Sequence, residues 1–336
     1  MRSKHFICRL SSAILLAVAG SVQGLTLLSG DLEAFLKSID YGDAGDNTWV
    51  APTAEMADQF ADVFDRFLSQ DFDEAHRRGS SLGYEVIEYT DTAIGRSGVH
   101  YILRETQQPP TAGFIGGGTY VLFPDGLELV LEAPHPVFDR YSAEQAIETY
   151  LATSSWLLAL SGTRRDNSTA LTPCTGTYAA SDAGHNTQHL FFVAHVGAFA
   201  MAPNSIFIQF HGFGSSSLRT LQSECATTNP LLVNLSEGVR YPSQSGDASF
   251  MQILRSKIEA DGIITPCVYG VDTNSLGGTW NVSGRYSNGS LDACIDNASV
   301  SSQRFIHLEQ SFGVRAQYRA DMAEYILQAA TAYLPQ

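Results

Sequence analysis

From residue 118 onward, runs with the two-residue period of strands alternate with runs of helical period, and this constrains the fold more than any other feature. Residues 118–123 and 127–133 read as strands joined through Pro124-Asp125-Gly126 into a hairpin. A helix over 142–150 opens with Ser142 and Gln145 in capping-box spacing. Then come a strand at 156–160, a helix at 186–200, a buried strand at 206–210 and a helix at 247–260. A strand at 304–308 and an amphipathic helix over 318–333, built on Met322, Tyr325, Ile326, Ala329 and Tyr333, close the chain. Strands separated by helices imply the α/β class, with a mixed, largely parallel sheet and helices on both faces.

The segment before residue 118 is patterned differently. Residues 54–78 have helical spacing through Met56, Phe60, Val63, Phe64 and Phe67, and short strands follow at 84–89 and 99–103. Residues 105–117, with Pro109-Pro110 and the start of a glycine run, are the segment expected to be mobile. Residues 1–24 have the layout of an export signal: Arg2, Lys4 and Arg9, then an uncharged apolar stretch, then small residues at two cleavage positions. That stretch is shorter than the ~20 residues of a membrane span. The expected organisation is a cleaved signal over 1–24 and one α/β domain over 25–336. Within it, 25–117 supplies a helix and short strands, and 118–336 the catalytic core. The mature protein would be secreted or periplasmic.

With 44% hydrophobic and 16% charged residues the chain can bury a substantial core. Its net charge of −15, more negative once the basic start is removed, argues against nucleic acid or an anionic membrane as partner. A small molecule or peptide is the expected partner. Past Cys8, the four cysteines Cys174, Cys225, Cys267 and Cys294 suit two disulfides in an oxidising compartment. Sequence proximity favours Cys174–Cys225 and Cys267–Cys294. Sequons stand at Asn167, Asn234, Asn281, Asn288 and Asn297.

In parallel sheets the reactive groups sit past the carboxyl ends of the strands. Three strands here run into polar residues: LELVLEA into His135 and Asp139, SIFIQF into His211, and RFIHL into Glu309. A catalytic zinc uses three N or O ligands, an open position, and a nearby carboxylate to take a proton from water. His135, Asp139 and His211 as ligands of one zinc ion, with Glu309 as general base, fill those roles.

This order resembles the zinc carboxypeptidase and aminoacylase-type group, which includes the N-formylglutamate amidohydrolases and poly-γ-glutamate hydrolases. The resemblance covers about 127–310, as short motifs. It implies a phosphorylase/hydrolase-like fold and a zinc-dependent hydrolysis of an amide or peptide bond near a carboxylate. The substrate would be a peptide, an N-acyl amino acid or a γ-glutamyl polymer. Zinc carboxypeptidases have His-x-x-Glu where this chain has His-x-x-x-Asp, so a loop must absorb one extra residue.

Arg164 and Arg165 follow the 156–160 strand. Related enzymes use arginines to hold a substrate carboxylate and polarise the scissile carbonyl, which points to Arg165. His185, in Ser181-Asp182-Ala183-Gly184-His185-Asn186, is a candidate substrate-binding group and a competitor of Asp139 for the metal. Asp182 or Asn186 is a candidate helix cap. Asn281 and Arg285, in a glycine-rich stretch, are further substrate-binding candidates. Two other functions remain open. His211-Gly212 with Gly214 and Ser215 suits an oxyanion loop of a serine esterase or lipase, although the chain has no G-x-S-x-G. A non-catalytic exported binding protein would also fit the acidity, the disulfides and the aromatic content.

Overall fold

The computed structural model describes residues 24–107, 109, 114–239 and 248–334. The expected export signal up to residue 23 therefore lies outside the described residues, as do positions 108 and 110–113 of the segment expected to be mobile.

Ten strands form one mixed sheet: β1 (Thr26–Gly30), β2 (Tyr84–Asp91), β3 (Gly98–Glu105), β4 (Thr119–Leu122), β5 (Leu127–Ala133), β6 (Ser155–Leu160), β7 (Ile206–Gly212), β8 (Leu232–Ser236), β9 (Thr265–Val268) and β10 (Phe305–Gln310). Their order across the sheet is β1-β2-β3-β4-β6-β5-β7-β10-β8-β9. The middle run β6-β5-β7-β10 is parallel throughout. The helices are α1 (Leu32–Lys37), α2 (Ala54–Leu68), α3 (Phe72–Gly79), α4 (Ser142–Thr153), α5 (Leu190–Met201), α6 (Ser215–Glu224), α7 (Phe250–Asp261), α8 (Val282–Ser287), α9 (Phe312–Gln317) and α10 (Arg319–Tyr333). No helix among the described residues is long and apolar enough to cross a membrane.

Side chains of a strand alternate between faces, and the central strands use this to build two unlike surfaces. One face carries Leu129 and Leu131 of β5, Ile206, Ile208 and Phe210 of β7, and Ile306 and Leu308 of β10. It is apolar as far as Gln310 at the end of β10 and is covered by α4, α7 and α10. The other face starts apolar with Val130, Phe207 and Phe305 under α2 and α5, then turns polar toward the carboxyl ends. That second face carries the site.

Several local expectations are corrected. The 118–133 hairpin does not form. Its turn does, closed by Gly126 N–H donating to Phe123 O at 2.9 Å, but β6 enters between the two strands, antiparallel to β4 and parallel to β5. The pairing partner arrives from 22 residues beyond β5, which no turn signal announces. Residues 54–78 are two helices, because Gln70 takes a left-handed conformation (φ 64°) between α2 and α3. The break turns Phe72 onto Tyr101, ring against ring at 3.6 Å. Ser142 and Gln145 make no capping box: the Ser142 hydroxyl donates to His135 O, and Gln145 exchanges hydrogen bonds with Gln310. Neither Asp182 nor Asn186 caps α5; His189 does, its Nδ1 accepting from Phe191 N–H.

The disulfides are Cys174–Cys294 and Cys225–Cys267, not the pairing that sequence proximity favours. Cys225 ends α6, whose Leu221 packs with Cys267 of the edge strand β9. Cys294 lies in the loop after α8, facing the long loop 161–189 that carries Cys174. Four of the five sequons, at Asn167, Asn234, Asn281 and Asn288, have buried side chains with no room for a glycan in this fold; Asn297 is exposed.

Candidate metal centre

His135 and Asp139 are brought together by one turn after β5, closed by Asp139 N–H donating to His135 O at 3.1 Å. The turn accounts for the extra residue: at i,i+4 the two side chains sit over each other, and His135 Nδ1 lies 3.1 Å from Asp139 Oδ2. His211, on β7, comes from the neighbouring strand. Its Nδ1 is 3.2 Å from His135 Nδ1 and 3.4 Å from Asp139 Oδ2. Glu309 stands directly across from His211 in the parallel β7–β10 ladder, so both project from the polar face. Arg165 and His185 reach the same cleft from the loop 161–189, and Asn281 from the start of α8.

The cleft holds about 370 Å³. Beside the His135–Asp139–His211 cluster its wall is aromatic: Tyr178 stacks on His185 at 3.7 Å and meets Trp280 edge-on at 6.4 Å. Two glycines permit close approaches. A Cβ on Gly278 (φ 62°) would lie 2.7 Å from the His307 ring, and one on Gly212 would collide with the Arg315 guanidinium.

The second nitrogen of each of these two imidazoles is already engaged. His135 Nε2–H donates to Asp182 Oδ1 at 2.9 Å, and His211 Nε2–H donates to Gln209 Oε1 at 3.1 Å. Each ring therefore turns Nδ1 inward, toward Asp139; a neutral ring offers its lone pair there, and a protonated one donates to the carboxylate. Three lone-pair atoms meet with separations of 3.1, 3.2 and 3.4 Å. Zinc bond lengths of ~2.0–2.1 Å in a tetrahedron place neighbouring ligand atoms ~3.3–3.4 Å apart. The spacing thus fits a small cation held by these three atoms. His135, Asp139 and His211 are all buried.

Two further groups could also hold an ion: His135, Asp182 and His185, and His211, His307 and Glu309. In the first, Asp182 Oδ1 already accepts from His135, from His185 Nδ1 and from Gly184 N–H, while Oδ2 lies 2.5 Å from Arg165 Nη2. Asp182 Oδ1 is thus filled, while Oδ2 has the Arg165 charge beside it but accepts no hydrogen bond. In the second, His307 Nδ1 and Glu309 Oε2 are buried atoms with no hydrogen-bond partner.

The electrostatics follow from burial against these contacts. Burial opposes ionisation of Asp139, yet the His135 and His211 imidazoles outweigh it and hold the carboxyl well below the usual range. Asp182 is likewise held low, by His135 and His185 against burial. Burial pushes His211 down to about 4. It pushes Glu309 up to about 8, with the Asp139 charge adding to the effect and His135, Arg315 and Arg165 opposing it. A carboxyl so raised can exchange a proton near neutrality.

Arg285 does not line the cleft. Its guanidinium donates to the carbonyls of Thr279, Ala293 and Cys294 and to Asn297 Oδ1, holding the loop after α8. Asn281 is turned inward, with Nδ2 donating to Gln209 Oε1 at 2.7 Å. Gly212 N–H, which an oxyanion loop would leave free, donates to Asp139 Oδ2 at 3.1 Å. The residues that sequence reasoning passed over are Asp182 as partner of His135, Gln209 as partner of His211, and His307. Gln209 and His307 did leave a trace, as polar residues at alternate positions of otherwise apolar strands.

Fold and site together define an α/β protein with groups of side chains that could bind a metal ion. No family model matches the chain, and no curated protein matches it in sequence. Among solved structures, it is similar to a bacteriophage poly-gamma-glutamate hydrolase at 13% identity and a TM-score of 0.36, over 63% of this chain and 86% of that one.

Proposed function

We propose that the protein is an exported, zinc-dependent hydrolase that cleaves an amide or peptide bond adjacent to a carboxylate. The observation that carries this reading is the convergence of three lone-pair atoms, His135 Nδ1, Asp139 Oδ2 and His211 Nδ1, at tetrahedral spacing. Each imidazole is held in the tautomer that makes this possible. One zinc ion bound there would supply Lewis acidity toward a carbonyl and toward water.

The chain's own residues do the rest. Glu309 stands opposite His211 with one carboxyl oxygen free of partners. It takes the proton of the attacking water and returns it to the leaving amine. Arg165 lies at the cleft wall, against the rings of Phe138 and Tyr178, paired with Asp182. Its guanidinium binds the substrate carboxylate or steadies charge developing on the scissile carbonyl. His185, on the same wall, contacts the substrate beside Tyr178. The two disulfides and the basic, then apolar, amino-terminal sequence support export.

The test is metal analysis of purified mature protein, followed by chelation and zinc replacement in an assay on N-acyl amino acids and γ-glutamyl peptides. About one zinc per chain, with hydrolysis lost on chelation and restored by zinc, is the expected outcome. A protein that binds no divalent ion, or that keeps its activity under chelation, ends the proposal.

A further inference from the structure

Behind His211 a row of polar side chains runs beneath α5 and α8, away from the cleft. The β5–β7 and β7–β10 registers place Glu132, Gln209 and His307 abreast on the polar face, one step below His211 and Glu309. Glu132 is 1% exposed and His195 of α5 1%, in a layer otherwise made of Phe207, Phe305 and Val130. A carboxylate at such a place is costly unless each oxygen is hydrogen-bonded. Here both are: His195 Nδ1–H donates to Oε1 at 2.8 Å, and Gln209 Nε2 donates to Oε2 at 2.9 Å.

The hydrogen-bond directions along the row are fixed from both ends. Asn281 Oδ1 accepts from the backbone N–H of Gly284 at 3.0 Å, so its Nδ2 must be the group facing Gln209. The Gln209 amide therefore presents Oε1 to Asn281 and His211, and its NH₂ to Glu132. From the other side Glu132, a carboxylate that can only accept, takes the His195 proton on Nδ1 and the Gln209 NH₂, while Ser287 Oγ lies 2.8 Å from His195 Nε2. Reversing the Gln209 amide would set its NH₂ against Asn281 Nδ2 and its oxygen against the Glu132 carboxylate.

We propose that Glu132, with His195 and Ser287 behind it, is a positioning relay that acts through Gln209 to lock His211 as its Nε2–H tautomer. The charge of Glu132 polarises the Gln209 amide, strengthens Oε1 as an acceptor and raises the donor power of His211 Nδ1 toward a cation. The link to metal affinity rests on the reading of His211 as a ligand; the control of the tautomer does not.

Glu132→Gln, Gln209→Met and Ser287→Ala test the relay with two readouts: the His211 tautomer by ¹⁵N NMR of the zinc-stripped protein, and zinc affinity by competition with a chelator. Wild type should show one His211 tautomer, with the proton on Nε2. Gln209→Met should mix the tautomers and weaken zinc binding about 10- to 100-fold, the usual effect of losing a ligand's outer partner. Glu132→Gln should do the same to a smaller extent, and Ser287→Ala less again, in folded protein. The ordering across three variants keeps the test open if Glu132→Gln fails to fold. Unchanged tautomer and zinc affinity in folded Gln209→Met would overturn the relay. If wild type binds no zinc, the metal reading fails, and the tautomer measurement alone decides the relay.

Discussion

The molecule buries two histidine–glutamate clusters on the same face of the same sheet, and they differ in one respect. Around Glu132 and His195 each side-chain polar atom has a partner. Around His307 and Glu309 of β10, two strands over, His307 Nδ1 and Glu309 Oε2 have none. The first cluster is sealed beneath α5, whereas Glu309 is only partly buried and lines the cleft. A fully partnered network rigidifies its surroundings, whereas unpartnered atoms cost stability and are retained where a ligand completes them. The first cluster is fully satisfied and the second is not.

That contrast can be broken most decisively at the ligands. His135→Ala and His211→Ala should each lose zinc and hydrolytic activity while circular dichroism still reports a folded chain, since two remaining ligands bind weakly. A variant that keeps a full equivalent of zinc would transfer the ligand role to His185. Next in size is Glu309→Gln. It should retain zinc and substrate affinity but lower kcat by ~10²–10⁴. Its metal-free form should be as stable as wild type or more so, because a buried unpartnered carboxyl is replaced by a neutral amide. Zinc content, melting temperature and kcat on one preparation decide it; a zinc-loaded variant running at the wild-type rate would place the base elsewhere.

His195→Ala should behave in the opposite sense. Removing the partner of Glu132 strands a buried charge and should lower unfolding free energy by about 3–5 kcal/mol in urea titrations. A stable His195→Ala protein would mean that the Glu132 cluster contributes little to holding the sheet.

The smallest effect is at Glu105, a third buried carboxyl, whose oxygens accept from the backbone N–H groups of Ile115, Gly116 and Gly117. Burial outweighs these amides and pushes Glu105 up to about 7. A folded-state value above the unfolded one stabilises fully below about 4.5, and the benefit is lost as pH rises through about 7. The stability gap between wild type and Glu105→Gln should therefore narrow by up to about 3 kcal/mol across that interval. A gap that widens with pH would reverse the sign of the shift.

How much of this was legible depended on distance along the chain. The alternation of strands and helices, and the strand ends carrying His135, His211 and Glu309, are local patterns, and the fold class followed from them. The local misses were helix ends and the break at Gln70; the larger failures were non-local. Pro124-Asp125-Gly126 made its turn, yet β6 separated the strands it joins. The nearest cysteines in sequence were not the nearest in space. Glu132 and Gln209 looked like stray polar residues in two strands, and only the register that sets them side by side explains them. Asp182 drew attention as a cap because its partner, His135, lies 47 residues away.

The shared register of β7 and β10 also limits how this protein could be altered. Phe207, Gln209 and His211 alternate with Ile206, Ile208 and Phe210, and the residues of β10 alternate in step with them. Inserting or deleting a single residue within either strand would swap the faces, sending imidazoles under α10 and aliphatic side chains into the cleft. Loop 161–189 and the segment around Trp280 can change length without touching that alternation. Redesign of specificity therefore has to proceed through the walls, because the floor cannot be shifted apart from the core on its other side.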